Sequence, residues 1–262
     1  TVGSLPTVIC VQELQPENAA PLESFEILAL MMNRPNAPLR YADCGTGMVF
    51  TNGGERQQIV FPDEGTLFNL HRYIRDWLMQ GELLDRPNLP PQSVVVIDVE
   101  APLADTVGRF TTTAPVFFAP DAPGGFEMTQ PPVRFGGNVT FLGYEPVDAE
   151  VYQPGDYVTA ITYWRVDGIL PTDLRLFTHV LFDPALIAAQ SDTLSVMPTQ
   201  LRPRDVFIQI TFVRLPEVLP ESSYRVSIGA YEDNTDTRLN VFDGEMPRGD
   251  RLFLDEITVE PR

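Results

Sequence analysis

The second half of the chain is built from short apolar runs that alternate with turn residues. Residues 155–164 begin with a Gly-Asp turn and continue as a β-branched and aromatic run, and residues 224–231 form another run that ends in the turn-rich segment 232–236. Strands at such spacing are typical of two packed antiparallel sheets. We therefore predict an immunoglobulin-like β-sandwich over residues 133–262. Its strands are predicted at 133–143, 149–152, 157–166, 174–182, 206–213, 223–231, 238–242 and 252–259, and only 184–190 also fits a helix.

The first half of the chain mixes two periodicities. Stretches with apolar residues three and four positions apart indicate amphipathic helices, and apolar runs of four to eight residues indicate strands. An Asn-Gly turn at 52–53 further predicts a hairpin between 48–50 and 58–61. We predict a small α/β domain with a mixed sheet over 1–118, joined to the sandwich by a Pro/Gly-rich linker at 119–132. Helices are predicted at 22–32 and 67–80, and further strands at 5–11, 39–44, 93–99 and 110–118.

The charge of the chain excludes several kinds of partner. It carries 36 acidic residues and 18 basic ones, all arginine, for a net charge of −18. A field of this sign repels nucleic acid and anionic lipid, so neither is expected as a partner. The absence of lysine excludes Schiff-base chemistry and the lysine of a phosphate-binding loop. Residues 13–18, which link the first strand to the first helix, contain no glycine, so they are not expected to bind a nucleotide phosphate.

The sequence gives no sign of a membrane span or a leader peptide. No apolar run approaches the ~18 residues that cross a bilayer. No basic segment followed by an apolar core stands at the start of the chain. The chain begins with Thr1 rather than Met, so we expect it to be part of a longer protein.

We predict no catalytic residue, no metal and no cofactor. His71 and His179 stand far apart and give no zinc motif. His179 shares one face of the predicted strand 174–182 with Phe177, and we expect a satisfied inward histidine or one at the sheet surface, not a ligand. Asp98 and Glu100 have the spacing of an acid/base pair, but no nucleophile accompanies them. A group of turn residues offers oxygen ligands for Ca²⁺, yet it lacks the spacing of a calcium loop, and Asp and Asn are ordinary in turns. That group consists of Asp233, Asn234, Asp236, Asn240 and Asp243.

Two further pairs of residues have alternative interpretations. Tyr163 and Trp164 would stack on sugar rings if they were exposed and would fill the core if they were buried. The alternation of Val158 with Trp164 in the same strand favours an inward-facing Trp164. Cys10 and Cys44 form a disulfide if the first two strands are neighbours, and otherwise they are two buried thiols.

Five motifs, in their order along the chain, resemble parts of a known family. The family is the bacterial PMT-type (protein mannosyltransferase-like, GT-C) glycosyltransferases, some of which carry a soluble β-sandwich after their membrane helices. Residues 39–44 and 58–62 resemble the segment that precedes that sandwich, so the likeness covers most of the chain. The five motifs are Phe141–Tyr144, Val151–Asp156, Tyr163–Trp164, Phe177–Asp183 and Tyr224–Glu232.

The resemblance implies an accessory role. In such enzymes the catalytic acids lie in loops between membrane helices, and the chain contains no such loops, so no catalytic residue is carried over. The chain is then expected to be a non-catalytic region on the extracytoplasmic side of the bacterial membrane. Its expected partners are the membrane-embedded part of the same polypeptide and a glycan or protein acceptor. That location would also permit the Cys10–Cys44 disulfide.

Two other functions remain as alternatives. A free-standing carbohydrate-binding sandwich would use Trp164 and Tyr163 to stack on sugar. A hydrolase would use Asp98 and Glu100. The lack of a reactive constellation favours the accessory role over both.

Overall fold

The protein is mostly β-structure, arranged in three sheets. The computed structural model describes residues 5–11, 39–54, 56–61, 70–78, 81–84, 94–97, 114–119, 126–136, 138–145 and 151–260. Within these ranges there is one α-helix, α1 (Arg72–Leu78), and it falls inside the helix predicted at 67–80. The predicted helix at 22–32 lies outside the described residues.

Sheet A is mixed and comes from the first hundred residues. Its strand order is β2-β1-β4-β6-β5. β1 is parallel to both β2 and β4, and β6 is antiparallel to β4 and β5. The strands on either side of β1 are therefore both parallel to it, as in an α/β sheet. The strands are β1 (Thr7–Val11), β2 (Leu39–Asp43), β4 (Gln57–Val60), β5 (Glu82–Leu84) and β6 (Val94–Ile97).

Sheet B is antiparallel and has seven strands in the order β19-β18-β9-β10-β12-β15-β3. Its edge strand β3 comes from the first half of the chain and pairs with β15, where Val49 lies opposite Phe207. The predicted hairpin between 48–50 and 58–61 is therefore wrong, because β3 and β4 join different sheets. The strands are β3 (Gly47–Phe50), β9 (Val133–Phe135), β10 (Val139–Glu145), β12 (Tyr157–Val166), β15 (Val206–Arg214), β18 (Val241–Asp243) and β19 (Met246–Pro247).

Sheet C has the strand order β14-β13-β16-β20-β7-β8, with antiparallel pairing along this path. β17 pairs with β16, and β11 adds a short parallel pair to β20. The strands are β7 (Val116–Phe118), β8 (Glu127–Thr129), β11 (Val151–Tyr152), β13 (Leu174–Leu181), β14 (Ile187–Thr193), β16 (Ser222–Glu232), β17 (Thr237–Arg238) and β20 (Leu252–Val259).

Some local predictions differ from the structure. The predicted strand 238–242 is divided between β17 of sheet C and β18 of sheet B, and the predicted linker at 119–132 contains β8 of sheet C. The predicted strand 133–143 is two strands, β9 and β10, because the chain turns at Gly136, whose φ of 59° favours glycine. The segment that also fitted a helix contributes to β14, the edge strand of sheet C. Its apolar residues at 185–189 are too few to distinguish a helical from an extended period.

A single hydrophobic cluster joins the three sheets. It includes Val8 of sheet A, Phe207 of sheet B and Val226 of sheet C, all with no exposed surface. The segment that follows β14 also contacts β2. The Asp43 N–H donates a hydrogen bond to the Ser195 carbonyl at 2.8 Å, and Ala42 and Val196 form an antiparallel β-bridge. The sheets therefore pack on one another as layers of one body.

A buried ion pair crosses from sheet A to the loop before β15. Arg40 Nε donates to Asp205 Oδ2 at 2.5 Å, and the two residues are only 4% and 0% exposed. The Asp205 carboxylate also accepts the backbone N–H groups of Arg202 (2.8 Å) and Asn52 (3.1 Å). The charge is thus paired and hydrogen-bonded, as a buried carboxylate requires.

No helix in the described part of the chain has the length and apolar character needed to cross a bilayer. The longest described helix, α1, has seven residues.

Candidate functional site

The two aromatic residues considered for sugar stacking lie in the interior. Trp164 is 1% exposed and packs edge-on against Phe135 and Phe141, with ring centroids 5.2 and 5.3 Å away. Its Nε1 donates to Thr162 Oγ1 at 2.9 Å. In this position the indole fills the core and offers no face to a ligand, which corrects the sugar-stacking assignment.

Tyr163 lies on the opposite face of β12 and is also fully buried. Its hydroxyl donates to Glu145 Oε1 (2.7 Å) and contacts the hydroxyl of Tyr73 on α1. Burial raises the pKa of Tyr163 above its ordinary value, and Tyr73 and Glu145 raise it further. Sheet B is therefore covered on both faces at this point, so Tyr163 is not a stacking residue either.

The remaining sequence candidates lie apart from one another. Cys10 and Cys44, on and after the parallel neighbours β1 and β2, form a disulfide with Cα atoms 5.2 Å apart. Asp98 and Glu100 lie outside the described residues. Asp233 and Asp236 lie in the turn between β16 and β17, and Asp243 is the last residue of β18. In the ranges that the structure describes, no three His, Cys, Asp or Glu side chains are grouped so as to hold a metal ion.

The outer face of sheet C carries a cleft of about 280 Å³. Phe177 and His179 alternate on β13 and form its floor, with their rings stacked at a centroid distance of 4.5 Å. The Phe177 ring lies across Gly229 of β16, where a Cβ atom would overlap it. The walls come from the edge strand β14 on one side and from the β16–β17 hairpin on the other. They consist of Ile187, Gln190 and Asp192, and of Tyr231, Asp236 and Arg238.

One wall is held by a polar chain through Asp192. Tyr231 donates its hydroxyl hydrogen to Asp192 Oδ2 (3.3 Å), and His179 Nε2 lies 3.6 Å from Asp192 Oδ1. The pKa of Tyr231 is raised to about 12, mainly by burial and further by the carboxylates of Asp192 and Asp233. Tyr231 is therefore a neutral hydrogen-bond donor at any physiological pH.

The opposite wall is fixed by Arg238. Its guanidinium stands 4.9 Å from the centre of the Phe177 ring, and its Nη1 donates to Asp250 Oδ2 at 3.0 Å. Burial alone raises the pKa of Asp250, but the hydrogen bonds and charges of Arg238 and Arg251 outweigh it and hold that pKa below its usual value. Arg238 is thus already paired, and its charge is not available in full to a ligand.

Two polar atoms beneath the cleft have no hydrogen-bond partner among the described residues. His179 is 3% exposed, and its Nδ1 makes no hydrogen bond to any described residue. Ser227, directly opposite His179 on β16, is fully buried and its Oγ is also unpartnered. Both atoms are inaccessible, so a ligand in the cleft does not reach them directly. Gln190 and Asp236 add an amide and a carboxylate at the exposed rim.

The cleft does not have the geometry of a hydrolytic site. Ser, His and Asp are all present, but neither Ser227 Oγ nor His179 Nδ1 finds the other within hydrogen-bond distance. Ser227 has no exposed surface and therefore cannot reach a substrate carbonyl. The polar side chains of the walls can hold a polar ligand by hydrogen bonds, which is binding chemistry.

Sequence reasoning missed the cleft as a site. It placed Phe177 and His179 on one face of a strand, which the register supports, but it read His179 as an isolated residue. Gln190 and Asp192 lie on β14, which was not among the predicted strands. One signal in the sequence could have indicated the cleft. His179 lies in the motif Phe177–Asp183 and Tyr231 in the motif Tyr224–Glu232, so the family resemblance singles out a polar residue on each of two strands.

Comparison with known proteins yields a fold-level likeness only. No family model matches the chain, and no curated protein matches it either. Among solved structures, the chain is similar to the C-terminal domain of Wzt, with 12% identity over 55% of this chain and 80% of that one, and a TM-score of 0.35.

Two further likenesses are weaker in score. One is to the CARDB domain of the PF1109 protein from Pyrococcus furiosus, with 7% identity over 49% of this chain and 89% of that one, and a TM-score of 0.27. The other is to a β-glucuronidase of glycoside hydrolase family 2, with 12% identity over 57% of this chain and 13% of that one, and a TM-score of 0.26. With TM-scores below 0.5, these likenesses support no statement about function.

Proposed function

We propose that this chain is a non-catalytic accessory region of a membrane-bound PMT-like glycosyltransferase and that it helps to position a glycan or an acceptor. The observation that carries the proposal is the cleft on sheet C, where polar side chains of β14 and of the β16–β17 hairpin line one cavity without a usable nucleophile. Its other expected partner is the membrane-embedded part of the same polypeptide. In this proposal sheet A and α1 form the α/β part, and sheets B and C, which also include β3 and β7 from within residues 1–118, form the immunoglobulin-like sandwich that presents the cleft.

The disulfide supports an extracytoplasmic location. Cys10 and Cys44 are both fully buried and joined across two parallel strands. Structural disulfides persist in oxidising compartments and are rare in the reducing cytosol. The net charge of −18 agrees with a region that stays in solution beside an anionic membrane surface instead of binding to it.

A glycan array tests the binding part of the proposal. The disulfide-bonded protein is compared with Gln190→Ala and Asp236→Asn, which alter the cleft rim, and with matched changes outside it, Gln153→Ala and Asp243→Asn. We expect the wild-type protein and both controls to retain the same glycans equally and both rim variants to retain them more weakly. Binding that none of the rim changes affects would contradict a role for this cleft.

The complete open reading frame tests the membrane part. We expect upstream membrane helices with acidic residues in the loops between them. If the gene encodes none, the second candidate applies, a free-standing carbohydrate-binding module, which the same cleft favours. Glycan binding together with a gene that lacks membrane helices would therefore select the module over the accessory region.

A further inference from the structure

We infer that the cleft selects an uncharged sugar and rejects sugars that carry a carboxylate or a phosphate. This inference rests on the proposed glycan-positioning function and specifies the ligand class of the same site. It follows from the charges around the cleft, from the hydrogen-bonding groups of its lining and from the size of the cavity.

The charge balance at the cleft is negative. Asp192 and Asp236 line it, and neither pairs with an arginine in the described part of the chain, whereas the nearby Asp233 pairs with Arg175. The one cationic side chain in the lining, Arg238, pairs with Asp250, which also pairs with Arg251. An anionic ligand would bring its charge towards uncompensated carboxylates, and this repulsion grows where water is partly excluded.

The polar groups of the lining suit hydroxyl groups. The carboxylate of Asp236 can only accept hydrogen bonds, the amide of Gln190 can both donate and accept, and the hydroxyl of Tyr231, which donates to Asp192, can still accept one. A hydroxyl group is both donor and acceptor, so a ring with neighbouring hydroxyls can satisfy all three types. A ligand carboxylate can only accept and leaves Asp236 without a donor.

The size of the cleft matches one sugar ring. Its volume of about 280 Å³ lies just below the range of about 300–1,000 Å³ that is usual for pockets of drug-sized ligands. The Phe177 and His179 rings are only 1% and 3% exposed, so apolar surface for the C–H face of a pyranose comes from Ile187, which is 39% exposed, and from the partly buried Tyr231. The cleft therefore fits a terminal residue of a glycan better than an extended segment.

Matched sugar pairs test the selection. Methyl glucopyranoside and methyl glucuronide differ only in a hydroxymethyl group against a carboxylate, and the corresponding galactose pair provides a repeat. Affinities are measured by NMR titration at low and at high salt. We expect the neutral member to bind at least tenfold more tightly at low salt and the difference to shrink at high salt, because salt screens the repulsion.

Two variants separate charge from shape. Asp236→Asn removes one carboxylate from the cleft, and Asp243→Asn makes the same change in total charge outside it. We expect Asp236→Asn to narrow the glucoside-to-glucuronide ratio several-fold and Asp243→Asn to leave that ratio unchanged. A purely structural effect of Asp236→Asn would weaken both sugars equally, and that result would count against the inference.

The outcomes distinguish the inference from the function on which it rests. If the acidic sugars bind as tightly as the neutral ones or more tightly, the inference is wrong, although the cleft remains a glycan site. If neither member of any pair binds, both the inference and the glycan-positioning role of the cleft are wrong. Tighter binding of the neutral sugars that depends on Asp236 supports both.

Discussion

The buried ion pair between Arg40 and Asp205 is expected to be a major support of the fold. Truncating the acid, Asp205→Ala, leaves the guanidinium of Arg40 in a place where it is 4% exposed and has no counter-charge. The backbone N–H groups of Arg202 and Asn52 lose this acceptor at the same time. The change therefore affects three hydrogen-bonding partners at once.

The magnitude follows from that inventory. Breaking a buried pair by removing one partner typically costs about 3–5 kcal/mol. Each buried donor that loses its acceptor costs about 1–3 kcal/mol, and part of this cost is already contained in the figure of about 3–5 kcal/mol for breaking the pair. We expect Asp205→Ala to lower the free energy of unfolding by about 4 kcal/mol. The double replacement Arg40→Met with Asp205→Leu should cost less, because no charge is then left unpaired.

The assay is urea-induced unfolding followed by circular dichroism and by tryptophan fluorescence. Glu217→Ala is the matched control, because it removes the acid of the exposed Arg214–Glu217 pair, in which Arg214 Nη2 donates to Glu217 Oε1 at 2.6 Å. An exposed pair typically contributes about 0–1 kcal/mol. A loss in Asp205→Ala no larger than that of the control would refute the reasoning, as would a double replacement that destabilises more than the single one.

Three further outcomes are expected. Gly229→Ala should lower the free energy of unfolding by about 1–3 kcal/mol, because the added Cβ would overlap the Phe177 ring and lie 2.9 Å from a backbone oxygen. Thermal unfolding measures this loss of stability, and an unchanged unfolding midpoint would contradict the prediction. Replacing both Cys10 and Cys44 by Ala should cost roughly 3–4 kcal/mol, since the bridge spans 34 positions, and a urea midpoint equal to that of the wild type would exclude a stabilising bridge. Tyr231 has a pKa raised to about 12, above the value of about 10 of the unfolded chain, so its stabilising effect is complete below pH 10 and is lost as the pH rises to 12. The unfolding midpoint of Tyr231→Phe should therefore fall less steeply between pH 10 and 12 than that of the wild type. Parallel midpoint–pH profiles of the two proteins would show that Tyr231 does not cause the loss of stability in this range.

Strand positions in the second half were predictable because period-2 alternation is a local signal. The prediction at 174–182 agrees with β13 at Leu174–Leu181, and Phe177 and His179 share a face there as expected. The burial of Trp164 could also be read from its apolar neighbours two positions apart. Such patterns report which side of a strand is apolar, and this information does not depend on distant residues.

Strand partners were not predictable in the same way. β3 is a four-residue apolar run beside an Asn-Gly turn, which suits a hairpin, yet it pairs with a strand about 160 residues further along the chain. Tyr163 faces away from the sandwich core and is nevertheless buried, because α1 brings Tyr73 onto it. Both facts depend on how the sheets pack, and no local pattern contains that information.

The cleft could be predicted only in part. Its floor follows from the alternation of β13, but its walls come from an edge strand and from a hairpin that the sequence does not relate to each other. His179 has no titratable neighbour within a few positions of the sequence, and its contact with Asp192 arises from the cross-strand register of β13 and β14. The unpartnered Nδ1 atom is a property of the packed state alone.

The origin of β3 has a practical consequence for anyone who produces the sandwich by itself. A clone that starts at Ala114, just before β7, would keep the strands of sheet C but would lack the strand that covers β15. The backbone donors and acceptors of Val206–Gln209 would then be open to any extended chain, and such open edges promote strand exchange and aggregation. Complementing that clone with a synthetic peptide spanning residues 44–54 should restore a monodisperse species.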